Sequence, residues 1–256
     1  MKEDRCWKMR RRGRIHWIDN VRAFAFINMI LYHFIFDLVY IFGVEMPWYR
    51  GIAGKIWQNA ICMTLIFVSG MATHFAREKI RSGLVIFGCG ILITVGTIIF
   101  MPSQLILFGI LHFLGMARLI FVVFEKPLKN MRPAAGVLIF LLLFVVFKNI
   151  ARGYLGVGPL SISLPVAIYQ TDFLFLLGLP GPTFFSGDYF PIIPWIFLYF
   201  AGYSFFALLK ETGHMGEHLR PIKGLSFIAR HTLIIYVIHQ PVLYGISLLL
   251  WKVGII

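Results

Sequence analysis

Long, nearly uninterrupted apolar runs separated by short clusters of Lys and Arg set the pattern of this chain. The runs show no period-two alternation, so they predict helices rather than the short alternating segments of an outer-membrane barrel. Several approach the roughly 20 residues needed to cross hydrocarbon. Spans are expected at about 17–42, 56–75, 83–101, 105–124, 133–147, 189–209 and 225–250. Residues 148–188 are interrupted by Gly and Pro, and the pieces Leu164–Ile168 and Phe173–Leu179 are too short to span. That stretch reads as an outer loop dipping partway into the membrane, with an eighth span hidden in 159–180 as the alternative. The fold class expected is all-α: a polytopic membrane helical bundle of about seven transmembrane helices, eight being the alternative. A basic tail over 1–16 precedes a single transmembrane domain over 17–256.

Composition agrees with the pattern. The 256 residues are 59% hydrophobic and 14% charged, too few charges to cover a soluble protein of this size. The formal net charge of +13 would suggest nucleic-acid binding in a soluble chain. Here the basic residues fall in the tail and in alternate short loops, so the positive-inside rule accounts for them and no nucleic acid is expected. The rule puts the N-terminus in the cytoplasm, and seven spans put the C-terminus outside. The first apolar run is too long for a cleavable signal and lacks a small-residue cleavage site, so it is expected to stay as an anchor. Cys6, Cys62 and Cys89 show no metal or disulfide spacing, and no metal site is expected.

Charge reappears where it is costly. The first span carries Asp19, Arg22, His33 and Asp37. Arg22 and His33 are eleven residues apart, which places them about 20° apart around a helix and three turns apart along it. A charged residue at the bilayer centre costs about 2.5–3.5 kcal/mol on insertion scales, so such a stripe needs a partner or a purpose. His33 lies in the outer half of the span, and Asp37 follows at i+4. An Asp accepting from one imidazole nitrogen would leave the other free as a base, which makes His33 and Asp37 the catalytic candidates. The bland alternative is a polar contact that fixes helix packing. Arg22 reads either as a phosphate contact for a donor or as a snorkelling anchor helped by Asp19.

Three further groups fall in the outer half. His112 sits in Phe108-Gly109-Ile110-Leu111-His112-Phe113-Leu114-Gly115, where Gly109 and Gly115 would let a helix or ligand approach the imidazole. Asp188 opens Asp188-Tyr189-Phe190-Pro191, either as an ordinary N-cap of span six or as a carboxylate that meets an acceptor. Tyr236 and His239 share a face in Ile235-Tyr236-Val237-Ile238-His239-Gln240-Pro241, where Pro241 frees a carbonyl one turn earlier. Asp188, His239 and Tyr236 are the substrate-binding candidates. Ser69-Gly70 is a weak nucleophile signal, and His16, His74, His214, His218 and His231 read as surface positions.

These residues resemble a known family. Arg22, ten residues and then His33 are similar to the signature of the transmembrane acyltransferases that acetylate sugars. Ile-Asp-Asn-Val-Arg-Ala at 18–23, Phe-Val-Ser-Gly at 67–70, and the motifs at 108–115 and 188–195 resemble the bacterial branch related to heparan-α-glucosaminide N-acetyltransferase. The resemblance implies acetyl-CoA as the donor and an amino or hydroxyl group of an extracytoplasmic sugar or glycan as the acceptor. It implies His33 as the catalytic position and Arg22 on the donor side; His112, with its flanking glycines, is the second cofactor-binding candidate. The chain departs from the family where Ala23 replaces a Gly and where the first outer loop, 43–55, carries no His. The expected protein is thus a multi-pass acyltransferase of the inner (plasma) membrane and cell envelope. Its expected partners are acyl-CoA, a sugar or glycan and membrane lipid, with a homodimer left open. A sugar or lipid transporter or flippase without transfer chemistry is the alternative, since broken helices and midmembrane polar groups serve there too. A non-catalytic membrane sensor subunit is the third.

Overall fold

The computed structural model describes residues 15–214 and 222–256. The basic block before Ile15, Cys6, His218 and Arg220 lie outside them. The protein is an all-α, polytopic helical membrane protein. Its main helices are α1 (His16–Phe36), α2 (Pro47–Arg50), α3 (Ile52–Ala72), α4 (Lys79–Phe100), α5 (Ile110–Asn130), α6 (Pro133–Phe147), α7 (Ile192–Glu211) and α8 (Lys223–Lys252). Among the described residues six helices are long and apolar enough to cross a membrane: α1, α3, α4, α6, α7 and α8 with their helical extensions. The span expected at 105–124 forms as α5, but Arg118, Glu125, Lys126 and Lys129 make it too polar to count with those six. Residues 148–188 contain only short 3-10 turns and a two-residue antiparallel hairpin (β1, Tyr154–Leu155; β2, Ile162–Ser163), so no eighth span forms there.

The chain divides into two compact units, Met1–Val68 with Met215–Ile256, and Ser69–His214. In the first unit α1 packs along α8, with Phe26 against Tyr236 and Phe42 against Tyr244 and Trp251. α1 ends in a π-helical turn, Asp37–Ile41, closed by the Phe42 amide donating to the Asp37 carbonyl at 3.0 Å. Gly43, at φ 77°, then turns the chain in a conformation that costs other residues strain. The loop that follows folds back on α1. Tyr49 donates its hydroxyl to the Tyr32 carbonyl at 2.9 Å, and Arg50 donates to the Val39 carbonyl at 3.1 Å. The Val39 carbonyl lies at the end of the π-turn, where intrahelical partners run out.

In the second unit two helix pairs form the core. α4 and α5 meet through small residues: Gly115 takes the backbone of Phe87 and Gly83, and Gly90 takes the ring of His112. Of the four α4 glycines, Gly83 and Gly90 make close approaches, whereas Gly88 and Gly96 face open space. α6 and α7 pair through Phe140–Phe200, Phe144–Trp195 and Phe147–Phe197. α7 is the most enclosed helix, buried through Leu198, Tyr199, Phe200, Ala201, Gly202, Tyr203 and Ser204 in succession. Gly70 of α3 lies against the Tyr199 carbonyl, so Ser69-Gly70 is a packing contact with that helix.

Two motifs that are far apart in sequence clasp one another in this unit. Phe108 and Tyr189 form a parallel bridge; the Phe190 amide donates to the Phe108 carbonyl, and the Gly187 amide to the Leu105 carbonyl, each at 2.8 Å. Asp188 completes the clasp by accepting from the Ile110 amide at 3.0 Å. It therefore caps α5, not the helix it precedes, whose own N-cap Pro191 makes no side-chain bond. Burial raises the Asp188 carboxyl to about 6, and the Ile110 amide opposes that rise.

Two outcomes follow. A methyl group added at Gly115 would lie 2.6 Å from the Phe87 nitrogen, so Gly115→Ala is expected to lower stability by about 1–3 kcal/mol in thermal unfolding in detergent, whereas Gly96→Ala leaves it nearly unchanged. Asp188→Ala removes the cap and is expected to cost about 1 kcal/mol, whereas the amide oxygen of Asp188→Asn can still accept from Ile110. A carboxyl whose pKa is raised by folding stabilises the fold below its unfolded value and loses that contribution as pH rises through about 6. Asp188→Asn should therefore gain stability relative to wild type between pH 5 and pH 8, by about 1.4 kcal/mol, nearly all of it below about pH 6.5. A constant difference in melting temperature across that range would contradict this.

Candidate functional site

The first unit gathers the polar residues of α1 and α8. A helical side chain leans toward the N-terminus of its helix, which brings an imidazole over the carbonyl four residues earlier. His33 follows this geometry: its Nδ1–H donates to the Met29 carbonyl at 2.8 Å. The tautomer is thereby set, and Nε2 carries the free lone pair. The expected bond from Asp37 to His33 is not made. Asp37 is fully buried and instead accepts from Gln240 Nε2 at 2.6 Å, a bond that ties the end of α1 to α8. Backbone therefore orients His33, and Asp37 holds the facing helix.

His239 stands beside His33, with ring centroids 5.0 Å apart and planes at 83°. Its Nδ1 bonds the Tyr236 carbonyl within α8, so it repeats the arrangement of His33. Tyr236 lies edge-on to His239 and against Phe26. Three polar atoms in this cluster are buried and have no hydrogen-bond partner among the described residues: Asp37 Oδ2, His239 Nε2 and Gln240 Oε1. With Gln240 donating to a carboxylate and each imidazole donating through Nδ1, all three are acceptors. The cluster is thus short of donors, and a bound group with N–H or O–H bonds would complement it.

Gln240 carried no role in the sequence reading. Its signal was its place between His239 and the helix-interrupting Pro241, but only the fold shows which helix it faces. Arg22 lies about three turns from His33 along α1 and pairs with Asp19 at 3.5 Å, one turn back. Ala23, at the position where the family pattern has a glycine, is completely buried.

The second unit holds His112 and Asp188. His112 is buried between Phe87 and Phe108, and its Nε2 lies 3.3 Å from Thr94 Oγ1. That hydroxyl donates to the Ile106 carbonyl at 2.6 Å, which leaves it to accept from His112. The glycines that were expected to open a way to His112 admit α4 and Asp188: Gly115 faces Phe87 and Gly83 of α4, and Gly109 touches the Asp188 carboxylate. His74, read as a surface position, is half-buried; it stacks on Tyr203 with ring centroids 4.1 Å apart and bonds the Tyr203 carbonyl at 3.0 Å.

Comparison with known families bears on what this arrangement does. The model of the heparan-alpha-glucosaminide N-acetyltransferase catalytic domain matches residues 14–241, which takes in the second unit, most of the first and all the site residues above. No curated protein sequence and no solved structure matches the chain. A match over nearly the whole chain, on a polytopic helical membrane protein, places it by family: the chain belongs to the heparan-alpha-glucosaminide N-acetyltransferase catalytic-domain family, a family of membrane N-acetyltransferases.

Proposed function

We propose that this protein moves an acetyl group from acetyl-CoA to an amino or hydroxyl group of a sugar or glycan at the outer side of the plasma membrane, with His33 as general base. The observation that carries the reading is the tautomer of His33. Its Nδ1–H is committed to the Met29 carbonyl, so Nε2 is the nitrogen available to take a proton. The acceptor-rich cluster beside it supports a substrate that brings its own donors. Asp37 Oδ2, His239 Nε2 and Gln240 Oε1 would receive N–H or O–H groups of an amino sugar or polyol.

The reaction then balances without a covalent enzyme intermediate. Nε2 of His33 takes the proton of the acceptor amine or hydroxyl as its nitrogen or oxygen attacks the thioester carbonyl. The tetrahedral adduct expels the CoA thiolate, and the proton held on His33 goes to that sulfur. Asp37 acts at one remove, as a positioning residue: its bond to Gln240 keeps His239 and Gln240 against the His33 face of α1. Tyr236 packs the other side of His239. Arg22, paired with Asp19 near the start of α1, is assigned to the donor end. His112 and Asp188 brace α5, His112 against α4 and Asp188 at the helix N-terminus; substitution there acts through folding.

The experiment is CoA release from acetyl-CoA by the purified protein against a panel of amino sugars and polyols. His33→Ala should fold normally and lower turnover by roughly 10²–10⁴-fold, the usual worth of a general base. Full transfer activity in purified His33→Ala would overturn the mechanism.

A further inference from the structure

Among the described residues, one arginine nitrogen is buried without a hydrogen-bond partner, and it is on α5. Arg118 lies eight residues into the helix, about 12 Å from its first turn and about 10 Å short of Glu125, where the charged end begins. An arginine at such a depth is costly unless paired. Yet among the described residues Arg118 makes no hydrogen bond and no ion pair, and its Nε is buried without a partner. Neither packing nor capping accounts for it.

Its surroundings within the second unit carry more cations than acids. Arg118 shares a helix stripe with Phe121, Val122 and Glu125, at i+3, i+4 and i+7. Phe121 is buried against Tyr203, and Lys79 Nζ sits 5.5 Å from its ring. Val122 and Glu125 line an open groove of about 660 Å³ between α4 and α5, together with Arg77, Glu78, Lys79 and Arg81. The acids there are already taken: Glu125 holds Lys79 at 2.6 Å and Lys129 at 2.7 Å, and Glu78 holds Arg81 at 3.0 Å in an exposed pair of the kind that contributes little. Arg77 has no acidic partner among the described residues, and Lys210 adds a further cation near His74. The groove and the helix stripe leading inward from it are therefore short of negative charge.

We propose that Arg118, with Arg77 and Arg81 at the groove mouth, binds the phosphates of the nucleotide-bearing thioester donor. This rests on the acetyl-CoA reading above. The planar guanidinium of Arg118 suits bidentate contact with phosphate oxygens, and phosphate supplies the counter-charge that the helix lacks. The apolar side chains between the cations, Leu84, Val85 and Val122, suit the uncharged arm of the same molecule.

The test compares two donors on the full chain. Acetyl-CoA carries the phosphates; S-acetyl-N-acetylcysteamine carries the same thioester without them. Arg118→Leu should raise KM for acetyl-CoA by roughly 10- to 100-fold, the loss of one charge-assisted contact, with kcat nearly unchanged. The short thioester should react as with wild type. Equal effects on both donors, or none on either, would overturn the proposal. Arg118→Lys keeps the charge without the fork; it should give an intermediate KM and serves if the leucine variant does not accumulate. Thermal stabilisation by CoA itself separates this contact from the transfer reading. If wild type transfers nothing, yet CoA stabilises it and not Arg118→Leu, the phosphate contact stands and the acetyltransfer reading fails. If CoA stabilises both equally or neither, the contact is wrong.

Discussion

The cost of an unpaired polar group in hydrocarbon governs this structure. Each ionisable group carried into a span must find a partner nearby or be left for a ligand. His33 finds its own backbone at Met29, Asp37 finds Gln240 across the helix pair, and His112 finds Thr94. Each bond leaves a remainder. His33 keeps a free Nε2, Asp37 keeps Oδ2, and Gln240 keeps Oε1. The polar contacts that hold α1 against α8 thus also define a cluster with acceptors to spare. Arg118 Nε is buried with no hydrogen-bond partner among the described residues.

Most of the architecture was legible because apolar length is a local property. The spans at 17–42, 56–75, 83–101, 133–147, 189–209 and 225–250 each correspond to a helix that is long and apolar enough to cross. The run at 105–124 also became a helix, but its polar C-terminal half sets α5 apart from them. Small residues in α4 pointed to close packing, although the sequence did not say which glycines would meet α5. The stripe on α1 directed attention to His33, and the face of α8 to His239, which do meet.

Side-chain pairing was less legible. Spacing of i+4 suggested that Asp37 would orient His33, but a helical side chain leans back toward the preceding turn, so the Met29 carbonyl reached the imidazole instead. Asp188 had been expected to cap the helix that follows it or to serve as a site carboxylate. Its actual partner, the Ile110 amide, is 78 residues away, and no local pattern could disclose it. Gln240 was hidden for a similar reason, since an uncharged amide beside a proline carries no signal until the opposing carboxylate is in place.

The central claim is that His33 and the α8 face that Asp37 holds against it work as one transfer site. A double-mutant cycle between His33 and His239, read as kcat/KM for acetyl transfer, addresses it most directly. Residues that serve the same reacting group lose activity non-additively. The double variant His33→Ala/His239→Ala should therefore be little worse than His33→Ala alone, with a coupling energy of about 1 kcal/mol or more. Strictly additive losses would show that the two imidazoles, although adjacent, act independently, and would contradict the account.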